Sequence, residues 1–215
     1  MTRTRSLVGL ALAATVLTTG CSATGGVSGW NPGVAARVAD DTISLSEAND
    51  TAAAYCGALV KNPQNDQVIP GRYVSGRVVA NLVLRSAAEQ FAEDNDLTPD
   101  GSYDDTVRQA EASDSFAGLS EEEKAAVIAV DGSGYFVQAV QQAAGEDGEE
   151  RFVAWLNDHQ PELDPRFGIA IEDGRTVSAD TGVSVAVSEV AEKGAASEPD
   201  GTFAAGLPAN QRCGG

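Results

Sequence analysis

The chain has 215 residues, with 32 acidic side chains against 14 basic ones and a formal net charge of −18. Such a surface repels phosphates, which argues against nucleic acid as a partner and against adhesion to anionic lipid by charge. Only 6% of the residues are aromatic, so a core has to be built from Val, Leu, Ile and Ala, and the length suits one domain with tails.

Arg3 and Arg5 precede an unbroken small and apolar run, Leu7 to Leu17, and then comes Thr18-Thr19-Gly20-Cys21. A short basic segment, an apolar stretch and small residues form the layout of a secretory signal peptide. The apolar stretch is too short to cross a bilayer as a helix, which takes about 20 residues. With its cysteine directly after a small residue, the segment resembles the lipobox of bacterial lipoproteins. That family places Leu three residues before the cysteine; here Thr18 stands there and Leu17 lies one step further back. The resemblance implies cleavage after Gly20, a signal peptide over residues 1–20, and lipid of the diacylglyceryl and palmitate kind on Cys21. The expected location is the outer face of the bacterial plasma membrane. Each buried methylene contributes about 0.8 kcal/mol, so two or three acyl chains hold stably where one holds only reversibly. The leader takes two of the 14 basic residues and no acid, leaving 12 against 32, a charge of −20.

Residues 21–33 are rich in Gly and Ser and read as a flexible tether. Val34, Val38 and Ile43 around Asp40-Asp41 give a strand-turn-strand signal. Ser44-Leu45-Ser46-Glu47 matches a capping box, with hydroxyl and carboxylate each satisfying a free amide at a helix start. The helix that follows is expected to pack through Asn49, Ala53, Cys56 and Leu59, and to end at Asn62-Pro63. Gly71 to Asp94 is the strongest helical stretch: Val74, Val78 and Leu82 form one row, and Val79, Val83, Ala87 and Phe91 a second. Arg77, Asn81, Arg85 and Glu89 occupy another face, and an Arg85–Glu89 pair at i,i+4 is worth a few tenths of a kcal/mol.

Asn95-Asp96 stops this helix, and Thr98-Pro99-Asp100 reads as a new N-cap with Pro at the first helical position. A polar helix then runs to Ala112. Ser120-Glu121-Glu122-Glu123 is a second capping box, opening a helix with Val127, Ile128 and Val130. Asp131-Gly132-Ser133-Gly134 predicts a kink or break. The pattern resumes through Tyr135, Phe136, Val137 and Val140 to Gly145. A last helix over Glu149 to Asp158 is expected to bury Phe152, Trp155 and Leu156, with Pro161 closing it. Phe167, Ile169 and Ile171 then alternate, Glu172-Asp173-Gly174 turns, and Thr176 and Val177 follow; Val183, Val185 and Val187 alternate again. Residues 191–206 read as lacking fixed structure, with Leu207 to Cys213 docking back. The fold class is therefore mainly α: an amphipathic helix bundle over residues 34–190 with a small N-terminal hairpin and a short C-terminal β segment, then a low-complexity tail over 191–215.

Once Cys21 carries lipid, Cys56 and Cys213 are the thiols left over, in a compartment that permits disulfides. The expectation is a Cys56–Cys213 bridge; the alternative is a buried Cys56 beside a frayed, exposed Cys213.

The order of elements, together with Val34-Ala35-Ala36-Arg37-Val38 and Ile43-Ser44-Leu45-Ser46-Glu47, resembles the opening of the SurA N-terminal-like domain of periplasmic chaperones and parvulin-type foldases. Leu97-Thr98-Pro99-Asp100 is similar to the helix start after that family's long second helix. Leu163-Asp164-Pro165-Arg166-Phe167-Gly168 looks like the turn that leads out of the helices in its lipoprotein members, and Leu207-Pro208-Ala209-Asn210-Gln211-Arg212-Cys213 looks like their C-terminal end. The resemblance covers most of residues 34 to 190. The parvulin insertion of about a hundred residues that such a foldase carries after the helices is absent from this sequence, and a parvulin site wants paired histidines where this chain has only His159. The resemblance thus implies the helical module without its enzyme.

Other chemistry finds little support. A Ser-His-Asp site would need His159 as its base. Gly182-Val183-Ser184-Val185-Ala186 approaches a nucleophile elbow but ends in Ala within alternating valines. Asp96-Leu97-Thr98-Pro99-Asp100-Gly101 superficially fits a calcium loop, yet Val107 stands where the twelfth-position Glu belongs. No metal, cofactor or catalytic residues are assigned. Three functional readings stay open: a chaperone-like binder of exported polypeptides, a scaffolding lipoprotein with specific protein partners, and an enzyme with an unrecognised site.

Overall fold

The computed structural model describes residues 32–62, 67–179, 188–189, 192–193 and 201–215. The leader, Cys21 and nearly all of the tether therefore lie outside the described residues, as do Val183, Val185, Val187 and the Gly182–Ala186 segment. The described fold is mainly α, with short strands at its borders.

Strands β1 (Val34–Val38) and β2 (Asp41–Ser44) form the antiparallel hairpin that the sequence predicts. A register shift between Val34 and Ala36 leaves Ala35 and Ala36 both buried. The turn holds Ala39 at a φ of 47°, a backbone region costly for a residue with a Cβ. Gln90 brackets it: its Oε1 accepts from the Asp40 N–H at 3.2 Å, and its Nε2 donates to the Val38 carbonyl at 2.8 Å.

Helix α1 (Leu45–Lys61) starts at Ser44, whose Oγ accepts from the Glu47 N–H at 3.1 Å. This is the hydroxyl half of the expected capping box; Ser44 is also the last rung of β2, paired with Val34. The packed face differs from the expected one. Ala48, Ala52, Tyr55 and Ala58 are buried, whereas Asn49 and Ala53 are exposed and Cys56 and Leu59 lie between. The aromatic ring of Tyr55 sets the rotation, because it is the largest group on the helix to bury.

After β3 (Ile69–Pro70), helix α2 (Gly71–Asp94) carries both expected rows: Val74, Val78, Val79, Val83, Ala87 and Phe91 are buried, with Leu82 half-buried. It touches β1, α1 and three later helices, α5 (Glu121–Val130), α6 (Ser133–Ala143) and α7 (Gly148–His159). Its supposed polar face is also used. The Arg85 guanidinium lies 5.4 Å from the Tyr103 ring and 4.8 Å from the Phe136 ring, while Nε donates to Glu89 at 2.9 Å. Arg85 is thus a cation–π bridge between helices, and not only half of a surface pair.

Helix α3 (Ser102–Glu111) begins later than Thr98 and Pro99 suggest. Gly101 is the N-cap and brings no side-chain cap; Asp100 before it accepts from the Ser102 N–H at 3.0 Å, while the Leu97 N–H returns to the Ala92 carbonyl at 2.8 Å. A four-residue helix that the sequence pattern hides, α4 (Asp114–Ala117), buries Phe116. The capping box at Ser120 and Glu123 is complete and opens α5. The expected break falls at Asp131-Gly132, where a Cβ on Gly132 would collide with the Ile128 carbonyl. Helix α7 buries Phe152, Trp155 and Leu156 as expected, and ends with Gln160 in the left-handed region.

Beyond α7, β4 (Glu162–Leu163) joins the far side of β1, giving the order β2-β1-β4. Asp164-Pro165-Arg166-Phe167-Gly168 is a tight helical turn capped by Asp164, with Gly168 at a φ of 64°. The hairpin β5 (Ile169–Glu172) and β6 (Arg175–Ser178) follows. Residues 201–205, expected to lack structure, form helix α8 (Gly201–Ala205) with Ala204 fully buried. The chain then docks as β7 (Arg212–Cys213) against β3.

The main core joins β1, α2 and α7, with Phe91 meeting Phe152 edge-on at 5.6 Å and Trp155 at 6.3 Å. Phe152→Ala should cost about 3–5 kcal/mol, measured by denaturant unfolding; a loss below about 1 kcal/mol would show that this contact does not anchor the core. A second cluster holds Tyr55, Val74, Val78, Val130 and Cys213. There the Tyr55 hydroxyl donates to Asp131 at 2.7 Å, and Arg77 donates to the same carboxylate oxygen at 2.8 Å. Burial, then the bond to Asp131, pushes the Tyr55 phenol above its ordinary range. Unfolded tyrosine ionises near pH 10, so this contribution is complete below that pH and is lost as pH rises toward the folded value. Stability should therefore fall above about pH 10, and fall less steeply in Tyr55→Phe; equal slopes in alkaline unfolding curves would refute the assignment.

Candidate functional site

The two free thiols of the sequence meet. Cys56 and Cys213 form a disulfide, with Cα atoms 5.6 Å apart across a separation of 157 residues. Cys213 is 2% exposed and Cys56 is half-buried. The alternative of a frayed Cys213 is thereby excluded. The position of the bridge follows from the elements around it. Cys56 sits one residue beyond the buried Tyr55, on the flank of α1. Cys213 is brought beside it by β7, which pairs Ile69 with Cys213 and Pro70 with Arg212.

A cleft of about 630 Å³ opens next to this bridge. One wall is the flank of α1, with Asn49, Ala52, Ala53 and Cys56; another is the start of α2, with Gly71, Arg72, Val74 and Ser75. The C-terminal segment supplies the third wall, through Phe203, Leu207 and residues 210–213. Gly71 lets this segment come close, since a Cβ there would sit 3.2 Å from the Gln211 carbonyl oxygen. The size is in the ordinary range for a ligand site, about 300–1,000 Å³, and the mixture of apolar and polar groups is the usual one. Asn49 and Ala53, which the sequence reading places on the packed face of α1, are exposed because they line this cleft.

Electrostatics single the cleft out further. Helix α2 starts at Pro70 with no side-chain cap and no acidic residue in its first turn, so the positive end of its dipole meets the opening uncompensated by local acid. Arg72 and Arg212 also belong to the walls. Arg212 is partly committed, donating from Nη1 to the Ala205 carbonyl at 2.7 Å. The two arginines stand on different walls, and among the described residues the lining holds no carboxylate. Nothing in the periodicity of the sequence announces the cleft, because it is lined by residues from three distant segments.

A smaller pocket of about 310 Å³ lies between the end of α7 and the β5–β6 turn, lined by Leu156, Asn157, Gln160, Pro161, Ile171, Asp173 and Gly174. It offers fewer apolar walls than the first. His159 adjoins this region but is occupied: its ring stacks on Trp155 at 3.9 Å, and Nδ1–H donates to the Trp155 carbonyl at 2.7 Å. It sits at the end of α7, held against that helix by the stacking and by the Trp155 carbonyl. Asp100, of the calcium-like segment, is taken up by the Ser102 amide. Among the described residues no group of three or more His, Cys, Asp or Glu is arranged to hold a metal ion, and no helix is long and apolar enough to cross a membrane.

Comparison with known proteins finds no match among family models, curated proteins or solved structures.

The bridge is directly testable. Non-reducing peptide mapping should yield a linked Cys56–Cys213 peptide, and Cys213→Ser should cost about 2–4 kcal/mol in unfolding free energy. Two thiols titrating freely in protein purified without reductant would refute it.

Proposed function

We propose that this chain is a lipid-anchored, non-catalytic binding module of chaperone type, tethered through Cys21 on the outer face of the bacterial plasma membrane and contacting segments of exported polypeptides. The observation that carries this reading is the cleft beside Cys56–Cys213. Its walls combine Ala52, Ala53, Val74, Phe203 and Leu207 with Asn49, Asn210, Gln211 and two arginines. Apolar groups of this kind suit alternate side chains of an extended segment, and the amides and guanidinium groups suit its backbone carbonyls. Among the described residues this lining contains no carboxylate and no imidazole. The resemblance in element order to the SurA N-terminal-like domain adds an analogy of fold, and fold alone does not assign a function.

One observation shifts the weight toward selective partners. Among the described residues, Val60, Tyr73 and Tyr135 are the exposed large hydrophobics, on three different helices. A holdase for unfolded chains in general wants a broad apolar surface. A single mixed cleft suits a limited set of segments, which brings the scaffolding reading close to the chaperone reading.

The full mature chain with Cys21→Ser should leave the membrane fraction while keeping its fold. Fluorescence anisotropy with labelled peptides from exported proteins should then detect binding. Ala53→Trp, which fills the cleft from an exposed position, should weaken that binding about tenfold or more, equivalent to about 1.4 kcal/mol. No binding by any peptide, or binding indifferent to Ala53→Trp, would remove the cleft as the site. Membrane retention of Cys21→Ser would remove the lipid anchor.

A further inference from the structure

We infer that the Cys56–Cys213 bridge is the reactive group of the cleft: a thiol on a docked segment is captured as a mixed disulfide on Cys56, while Cys213 stays in place to reverse the capture. The inference rests on the cleft being the polypeptide site, and it names the chemical class that the site selects, extended segments that carry a free cysteine.

The bridge belongs to the lining and is not set behind it. Both cysteines line the cleft, where the flank of α1 meets the C-terminal segment. Their burial is unequal. Cys213 is 2% exposed, whereas Cys56 is half-buried and is therefore the one that an incoming group meets first. Access decides which sulfur of a disulfide is attacked. The neighbours of Cys56 on its wall, Ala52 and Ala53, are small, so a side chain of cysteine size has room beside it. Polypeptides entering an oxidising compartment still carry reduced thiols, and this supplies the reactant.

The surroundings of Cys213 suit it as the leaving group. It stands opposite Ile69, two residues before the first residue of α2. That helix has no side-chain cap and no acid in its first turn, so its positive end favours the negative charge that appears on the departing sulfur. Cys213 is also held where it is. The C-terminal segment packs on β3 through α8, and on β3, α1 and α2 through β7. Cys213 itself lies in the cluster with Tyr55, Val74 and Val78. Its Sγ is 3.5 Å from the Cys56 carbonyl oxygen, which is an acceptor for the thiol once the bridge is open. A thiol kept beside Cys56 is placed to attack the mixed disulfide and release the captured segment.

The step balances without an added oxidant. The thiolate of the segment attacks the Cys56 sulfur, the Cys56–Cys213 bond breaks, and a new S–S bond joins the segment to Cys56. Cys213 leaves as a thiolate and takes up the proton that the segment's thiol gave up. One disulfide is consumed and one is formed, with no net gain or loss of electrons. Return attack by the Cys213 thiolate restores the bridge and frees the segment with its thiol unchanged. The exchange is therefore a reversible covalent hold, added to the non-covalent contacts of the cleft.

The test mixes the full mature Cys21→Ser chain, without reductant, with a short fluorescein-labelled Val/Ala-rich peptide that has one central cysteine. The reaction is quenched with N-ethylmaleimide and read by intact mass and peptide mapping. The expected product is linked at Cys56, carries one maleimide group at Cys213, and otherwise has the summed mass of chain and peptide with no loss of hydrogen. It should form about tenfold or more faster than the adduct of N-acetylcysteine at equal concentration, because docking places the thiol beside the bridge. Ala53→Trp should remove that advantage. No adduct, an adduct on Cys213, or a rate unaltered by Ala53→Trp would overturn the inference. The serine counterpart of the peptide, read by fluorescence anisotropy, separates the two failures. If it binds while the cysteine peptide gives no adduct, the exchange is rejected and the cleft reading stands; if it does not bind either, both are rejected.

Discussion

Helix α2 is buried on several sides at once, and this condition shapes what surrounds it. Gly76, Ala80, Ala87 and Ala88 are among its buried positions, and small residues are what allow elements to approach from many directions. At Gly76 a Cβ would stand 3.4 Å from the Phe167 carbonyl oxygen. Where a polar side chain of this helix is buried, it needs a partner inside. Ser86 donates to Asp41 at 2.7 Å and so fixes the hairpin. Asn81 accepts from the buried Ser133 at 2.8 Å and so fixes the start of α6. The cleft inherits its position from the same helix, since its second wall is the first turn of α2 left over after the core has been packed.

The acidic surface works differently. Most of its ion pairs are exposed and contribute little each. Lys61 to Glu123, at 2.6 Å, is better placed, because Glu123 also completes the capping box of α5 and so ties the end of α1 to a helix start. Both contacts pull the Glu123 carboxyl below its usual range, the lysine first. A large excess of acid over base repels like-charged copies of the chain.

The parts of the fold readable from sequence are those with a local physical cause. The valine rows of α2, the hydroxyl and carboxylate at Ser120 and Glu123, and the Asp131-Gly132 break each depend on residues a few positions apart. The rotation of α1 was not legible, because Tyr55 and its acceptor Asp131 are 76 residues apart. The same holds for β4, two residues whose strand character comes from β1, and for α8, whose alanine is buried by tertiary packing. Thr98-Pro99 misled for a different reason: Asp100 holds the Ser102 amide in a local turn, and the helix starts after Gly101. Of the candidate site, the bridge followed from counting thiols, while the cleft depends on three segments that only the fold assembles.

The placement of β1 has a consequence for the order of events during folding. It is the first described strand, yet it is the middle one of its sheet, and its second neighbour is Glu162–Leu163. A chain emerging from its N-terminus can form the hairpin early, but leaves the other edge of β1 open until more than a hundred further residues have appeared. Cys56 is likewise joined to Cys213 across 157 residues, and Cys213 belongs to the second cluster. Contacts this distant in sequence slow folding and prolong the exposure of an unpaired edge. Until Glu162–Leu163 reaches it, that edge of β1 presents unpaired backbone groups on which any other extended segment could template.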